Sequence, residues 1–362
     1  MSSDSSKAGD PPGLPLGAVV GWLDRERPGL RQGPLRAALI AGGRSNLTYR
    51  VTDGESVWAI RRPPLGHVLP TAHDMVREYT VISALRHTDV PVPQAIALCT
   101  DAEVIGQPFY VMSFVDGVVL DSPELISEPV AARRTGELLV DTLLALHSVD
   151  PSAVGLGDFG RPQGYLQRQV ARWHKQYLAS QPAGTDGSTQ QELELSVAGS
   201  LAEALPATSR VGIVHGDYRL TNVIYAHRFD RIAAVVDWEM ATLGDPLTDV
   251  GLLYVYHRLS AGTGAVMAHY PAAAGYLDAD ALVARYAASG ELELRELDWY
   301  IAFGYFKLAV IAAGIDARFR QGLTVGEGFE RFGALVGHTL RGAADTISAM
   351  TGPAPSTEDS GS

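Results

Sequence analysis

The sequence predicts an α+β fold of two lobes, β-rich first and helical after. Three observations carry this. Short apolar runs broken by Gly, Pro and Asp turns fill residues 38–115. Apolar positions at helical spacing dominate after Val118. One β-hairpin, from Asn222 to Asp237, interrupts those helices. The pattern changes sharply at Val115 to Val118, which reads as a hinge. The chain therefore divides into a disordered tail 1–15, a first lobe 16–115, a helical lobe 116–351 and a second disordered tail 352–362. At 362 residues, 46% of them hydrophobic, each lobe can hold a core.

Each element has its own signal. Leu16 to Glu26 is a short amphipathic helix, stopped by Arg27-Pro28-Gly29. Leu39-Ile40-Ala41, Leu47 to Val51 and Ser56 to Arg61 read as three strands, separated by the Gly42 to Asn46 turn and the Thr52 to Glu55 turn. Pro63-Pro64 ends the third. Thr71 to Leu85 reads as a helix, with Met75, Tyr79 and Ile82 along one face. Ile96 to Leu98 and Pro108 to Phe114 are two further strands. Arg133 to His147 carries Leu139, Leu143 and Leu146 on one helical face, and Gln181 to Thr189 is a loop. Helices return from Leu247. Trp299 to Ile315 is the most apolar stretch, with Lys307 at its centre. It is short for a span and reads as a buried helix, not a membrane segment.

Composition excludes several classes. Net charge is −12 and no Lys/Arg run exists, so nothing supports nucleic-acid binding. Cys99 is the single cysteine, which fits a reducing, cytoplasmic setting. Residues 1–15 lack an apolar core and do not read as a signal peptide. His67, His73 and Asp74 do not have zinc-site spacing.

The chemistry concentrates in His215-Gly216-Asp217-Tyr218-Arg219-Leu220-Thr221-Asn222, after the apolar run Val211 to Val214. A second apolar run, Ala233 to Val236, ends in Asp237. A strand, a loop with Asp and then Asn five residues on, and a strand ending in Asp form the layout of a kinase catalytic loop and metal site. In that layout Asp217 accepts the proton of a substrate hydroxyl. Asn222 and Asp237 supply the hard oxygens that Mg²⁺ prefers. Arg219 would stabilise charge on the transferring phosphoryl group. His215 and Tyr218 read as structural. Asp245 and Asp249 read as loop-fixing and capping residues. Glu239 either reaches a second metal or faces solvent.

The nucleotide end reads in the first lobe. Gly43, Ser45 and Asn46 lie in a turn that is either an ordinary hairpin or a phosphate cradle. Arg61 ends its strand and pairs with Glu78 of the next helix, as a phosphate cation does in kinases. Arg62 would lie on the opposite face. Backbone of Ser113 to Val115 would bond the adenine of ATP.

Taken together these residues resemble the aminoglycoside phosphotransferase/choline kinase family, a branch of the protein-kinase-like fold. The matching pieces are Gly43-Arg44-Ser45-Asn46-Leu47-Thr48-Tyr49, Arg77-Glu78-Tyr79, Val214 to Asp217 with Asn222, and Val236 to Glu239 with Gly244-Asp245-Pro246. Arg61-Arg62-Pro63-Pro64, His73-Asp74, Phe306-Lys307-Leu308-Ala309 and Arg318 followed by Gly322 are similar to one subgroup, the kinase-like domain fused to acyl-CoA dehydrogenases. The resemblance implies a bilobal kinase-like fold and a Mg²⁺-dependent ATP:alcohol phosphotransferase. It implies Asp217 as base, Asn222 and Asp237 as metal ligands and Arg61 as nucleotide cation. The implied substrate is a small molecule with a hydroxyl group. For the subgroup that is a 4-hydroxyacyl-CoA, with a separate acyl-CoA dehydrogenase as pathway partner. For the wider family it is an aminoglycoside, a macrolide or an amino alcohol. Lys307 and Arg318, eleven residues apart, would present cations to a CoA on one helix face, or Lys307 would neutralise a buried acid. The rival of another class is a nucleotide-binding pseudokinase. Loss of Asp217, Asn222 or Asp237 would favour it, and all three are present.

Overall fold

Five strands and three helices build the first third of the chain among the described residues. The computed structural model describes residues 10–40, 46–65, 74–182, 188–207, 210–262, 274–288, 294, 296–323 and 328–351. The chain divides into two compact units. One comprises Met1–Val118 with Ile224–His227 and Ile232–Ala241; the other comprises Val119–Val223, Arg228–Arg231 and Thr242–Ser362.

In the first unit, α1 (Leu16–Glu26) precedes β1 (Arg36–Leu39), β2 (Leu47–Thr52) and β3 (Val57–Arg62). Then come α2 (Met75–Leu85), β4 (Ala95–Cys99), α3 (Ala102–Ile105) and β5 (Phe109–Ser113). The five strands form one antiparallel sheet in the order β1-β2-β3-β5-β4. The first strand lies earlier than Leu39 to Ala41, because Arg36 to Leu39 pair with Thr52 to Tyr49. Helix α2 starts at Met75; Thr71 to His73 of the expected helix lie outside the described residues. The Asp74 carboxylate caps it by accepting from Val76 and Arg77 N–H groups at 3.0 and 3.1 Å. The core joins Trp22 and Leu23 of α1 to Tyr49, Trp58, Ile60 and Phe109 of the sheet. Trp22 meets Phe109 edge-on at 4.7 Å between ring centroids.

The second unit is mostly helical. Strand β6 (Val118–Val119) comes at its border. Helices α4 (Pro129–His147), α5 (Tyr165–Ser180) and α6 (Thr189–Glu203) follow. Strand β7 (Gly212–Val214) precedes the loop; β8 (Val223–Tyr225) and β9 (Ile232–Val235), which apart from Val223 belong to the first unit, pair as the expected hairpin, with β6 on the other edge of β8. Strand β10 (Thr242–Gly244) pairs with β7. Helices α7 (Leu247–Gly262), α8 (Ala279–Ala288), α9 (Leu297–Arg320) and α10 (Phe332–Thr351) complete the chain.

Helix α9 packs against α5, α6, α7 and α10. Its composition and length would suffice to cross a membrane, but 67% of its apolar window is buried inside the protein. Gly251 of α7 and Gly304 of α9 let the two helices touch. A methyl group on Gly251 would lie 2.4 Å from the Tyr300 carbonyl oxygen, and one on Gly304 would lie 3.1 Å from the Gly251 carbonyl oxygen. That close crossing sets the height of every side chain nearby on both helices.

Candidate active site

Strand β7 delivers the catalytic loop of the second unit. Val214 pairs with Thr242, and His215 to Asn222 follow. Gly216 has φ 84°, a conformation that strains any side chain. The buried carboxylate of Asp249, in the first turn of α7, accepts the N–H groups of His215 (2.7 Å) and Gly216 (2.8 Å). His147 Nε2 lies 3.4 Å from the same carboxylate, and its Nδ1 lies 2.8 Å from the Tyr286 hydroxyl. Burial alone would raise the Asp249 carboxyl, but His147, His215 and the Gly216 N–H hold it below its ordinary value. Asp245 supports the next turn, accepting from Leu247 N–H (3.0 Å) and the Tyr300 hydroxyl (2.7 Å).

The Asp217 carboxylate has a donor on each oxygen. The Tyr256 hydroxyl donates to Oδ1 at 2.6 Å, and Asn222 Nδ2 donates to Oδ2 at 2.9 Å. Asn222 Nδ2 also donates to the Asp217 main-chain oxygen at 2.8 Å. With its nitrogen so engaged, Asn222 offers its side-chain carbonyl to a cation. Arg219 Nε lies 3.4 Å from Asp217 Oδ2, and its guanidinium carbon lies 5.2 Å from the Tyr256 ring centroid. The Tyr218 hydroxyl donates to the Leu139 carbonyl at 2.7 Å, which makes it a structural residue. His215 is fully buried, with Nδ1 3.2 Å from the Asp217 N–H, so it holds the loop backbone.

Lys307 departs from one expectation. It does not stand at a rim beside Arg318: only 7% of it is exposed, whereas Arg318 is exposed. Its Nζ donates to the Gly216 carbonyl and lies 5.4 Å from the Trp173 ring centroid. Burial lowers the Lys307 ammonium pKa, while Asp217 and Asp249 pull it back up. The apolar packing of α9 against α5 and α7 forces Lys307 inside, and the loop carbonyl is its hydrogen-bond acceptor.

The first unit holds the other half of the predicted set. Arg61 Nε donates to Glu78 Oε2 at 2.8 Å, Nη1 to Thr48 at 3.2 Å, and Nη2 to Asp237 Oδ1. Glu78 is buried in the first turn of α2 and also accepts from the Tyr110 hydroxyl at 3.0 Å. Asn46 Nδ2 donates to Glu78 Oε1 at 2.8 Å and to Glu239 Oε2 at 3.0 Å. Glu239 therefore does not simply face solvent. Burial raises the Glu78 carboxyl to about 7; Arg61 opposes this, and Asp237 and Glu239 reinforce it. Burial would lower Arg61, but Glu78, Tyr110, Asp237 and Glu239 outweigh it and raise it. Asp237 has φ 68° and ψ 57°, the left-handed conformation that Asp tolerates better than most residues. Arg62 faces away and donates to the carbonyls of Pro63 and Gly13.

This cluster fits a divalent cation. Three carboxylates face one guanidinium, leaving two negative charges when all are ionised. Asn46 Oδ1 is also buried with no hydrogen-bond partner among the described residues. Among the described residues, no group of three or more His, Cys, Asp or Glu is arranged to hold a metal. Mg²⁺ does not need one, because it keeps waters and phosphate oxygens as ligands.

Other expectations fall elsewhere. Gly43, Ser45, His67 and His73 lie outside the described residues. The Ser113 N–H is already committed to the Gln94 carbonyl at 2.9 Å, and its hydroxyl accepts from the Gln94 N–H. The Ser113 N–H is therefore not available to adenine, and Val115 is half-buried in the following loop. Tyr256 and the His147–Asp249 pair were not legible as site residues. Tyr256 is 39 positions from Asp217 in an apolar helix, and no local pattern marks it.

The fold and the two polar clusters define a phosphotransferase of the protein-kinase-like class. The chain belongs to the phosphotransferase enzyme family, whose model matches residues 36–298. Acyl-CoA dehydrogenase family member 11 of Gallus gallus is 32% identical over 330 residues, 88% of this chain and 42% of that protein. The chain thus spans less than half of this relative. A solved structure from Ralstonia eutropha JMP134, whose aminoglycoside phosphotransferase activity is itself inferred, is 30% identical with TM-score 0.78, covering 92% of this chain and 98% of that one. Aminoglycoside phosphotransferase APH(4)-Ia, solved with AMP-PNP and hygromycin B, shares the fold at TM-score 0.59 and 15% identity, covering 93% of this chain and 99% of that one.

Proposed function

We propose that the chain transfers the γ-phosphoryl group of ATP to the hydroxyl of a 4-hydroxyacyl-CoA, in a Mg²⁺-dependent reaction. The observation that carries the phosphotransfer chemistry is the framing of Asp217. Its carboxylate has one donor on each oxygen, retains 19% side-chain exposure and has Arg219 alongside. Each carboxylate oxygen still has a free lone pair for the incoming proton. The acceptor hydroxyl would give that proton to Asp217 while its oxygen attacks the γ-phosphorus. The bond from the γ-phosphorus to the β,γ-bridging oxygen breaks, and ADP leaves with that electron pair. Arg219 neutralises charge on the moving phosphoryl group, and Arg61 binds nucleotide phosphate. As metal residues this reading keeps Asp237 and Asn222, each of which would offer a side-chain oxygen to Mg²⁺. The metal, when bound, draws negative charge from the phosphate oxygens.

The acyl-CoA acceptor draws its support from the relatives. Identity to the acyl-CoA dehydrogenase family member is 32%, against 15% to the hygromycin-binding APH(4)-Ia. The aminoglycoside reading has its own support in the Ralstonia eutropha structure, 30% identical over nearly the whole of both chains. An ATP-consumption screen across hydroxyacyl-CoAs, aminoglycosides, macrolides and amino alcohols decides between them. Turnover of 4-hydroxyacyl-CoA to a phosphorylated product is expected. Turnover of an aminoglycoside or macrolide alone would refute the acyl-CoA assignment. In either case Asp217→Asn should lower kcat by about 10²-fold or more and leave nucleotide binding intact.

A further inference from the structure

We propose that Tyr256 is a positioning residue for phosphoryl transfer, its hydroxyl fixing the plane of the Asp217 carboxylate and its ring seating Arg219. This rests on Asp217 being the base. Tyr256 belongs to the apolar cluster between α7 and α9, with Leu252, Val255, Leu259, Ile301 and Leu308. Only 2% of it is exposed. Packing alone would accept Phe at such a position; a buried phenol needs a hydrogen-bond partner. Its hydroxyl donates to Asp217 Oδ1 at 2.6 Å, the length of a charge-assisted O–H···O⁻ bond.

Geometry gives that bond a specific effect. A carboxylate held at one oxygen still turns about its Cβ–Cγ bond. Held by Tyr256 at Oδ1 and by Asn222 at Oδ2, it is locked in one plane. The same ring faces the Arg219 guanidinium at 5.2 Å. Two residues that act on the same phosphoryl transfer are thus referenced to one rigid side chain. Its helix is in turn fixed by the Gly251–Gly304 crossing. Hydroxyl and ring are separable by substitution: Tyr256→Phe removes only the first, Tyr256→Leu removes both.

The test uses the full chain with MgATP, with water as acceptor and with any hydroxyl compound it turns over. Tyr256→Phe should lower kcat roughly tenfold, the worth of a hydrogen bond to a charged group, with KM for MgATP within about twofold. Tyr256→Leu should lower kcat roughly a further tenfold. Adding Arg219→Ala to Tyr256→Leu should then cost less than about twofold, because the Arg219 seat is already lost. Unchanged kcat in Tyr256→Phe, a loss confined to KM, or multiplicative losses in the double variant would each overturn the proposal.

A second readout needs no turnover. The Arg219 Nε–H resonance, identified by its loss in Arg219→Ala, should be shifted by the ring current in wild type and Tyr256→Phe and return to its ordinary position in Tyr256→Leu. An ordinary position in wild type overturns the seat. If wild type turns over neither water nor any hydroxyl compound, the phosphotransfer reading fails while this resonance still decides the placement of Arg219.

Discussion

Replacing Asp249 by Asn separates scaffold from chemistry in the catalytic loop. Asp249 uses two carboxylate oxygens to accept two buried main-chain N–H groups, at 2.7 and 2.8 Å. Asn has one oxygen and one NH₂ group, so one of those N–H groups would face another donor. An unsatisfied buried donor costs about 1–3 kcal/mol, and the surviving bond loses its charge assistance, about 1 kcal/mol more. A total near 3 kcal/mol follows. For 362 residues the unfolding entropy is about 0.76 kcal/mol/K, so Tm should fall by about 4 °C. The activity should fall further than the stability, because displacing Asp217 by about 1 Å is worth roughly 10²-fold in rate. Asp217→Asn should show the opposite balance: the Tyr256 hydroxyl can turn to accept, so no neighbour is left unsatisfied and only charge assistance is lost, with Tm down by at most about 3 °C and kcat down by about 10²-fold or more. The assay is a thermal melt by circular dichroism beside MgATP turnover on the same preparations. Asp249→Asn with an unchanged Tm would refute the hydrogen-bond accounting. A lowered Tm with wild-type kcat would refute the claim that Asp249 positions the loop.

Two other perturbations follow from the same clusters. Glu78 is held in its acid form up to about 7, against an ordinary value of 4.5. A raised pKa means the folded state binds the proton more tightly, so this contribution to stability is present below 4.5 and is lost as pH rises through 7. Glu78→Gln should therefore flatten the fall in Tm between pH 5 and pH 8, measured by melts across that range. Lys307→Met keeps the volume but leaves the Gly216 carbonyl without its donor. Roughly tenfold lower kcat is expected, with Tm within about 3 °C, because burying the ammonium carried its own cost; kinetics and a melt on one sample check both.

Local chemistry made part of this protein readable in advance. Helix α1 was legible to the residue because Pro15 and the Arg27-Pro28-Gly29 stop bracket an amphipathic run. The β8–β9 hairpin was legible because a polar turn joins two apolar runs. The Arg61–Glu78 pair was legible through its spacing on a strand and the following helix, and it forms at 2.8 Å. Three features were not legible. The start of α2 at Met75 depends on whether Asp74 caps or continues a helix, and that competition is settled by backbone geometry. The loss of the Ser113 N–H to Gln94 depends on strand register. Lys307 read equally well as a rim cation or a buried one, because its apolar neighbours say that the helix is buried but not what lies opposite.

The last case shows why the catalytic loop is specified at a distance. Its own residues supply the base, the cation and the amide, yet they do not hold themselves in place. Gly216, in a left-handed conformation, has its N–H held by Asp249 of α7 and its carbonyl by Lys307 of α9. Tyr256, two helical turns after Asp249 on α7, reaches the Asp217 carboxylate. Those three anchors keep their heights only while α7 and α9 cross at Gly251 and Gly304, where a methyl group has no room. Small residues far from the chemistry thus fix the helix separation, the separation fixes the anchors, and the anchors fix the base. A loop motif read from sequence can name the reacting groups; their geometry is encoded in the apolar packing of helices that carry no motif.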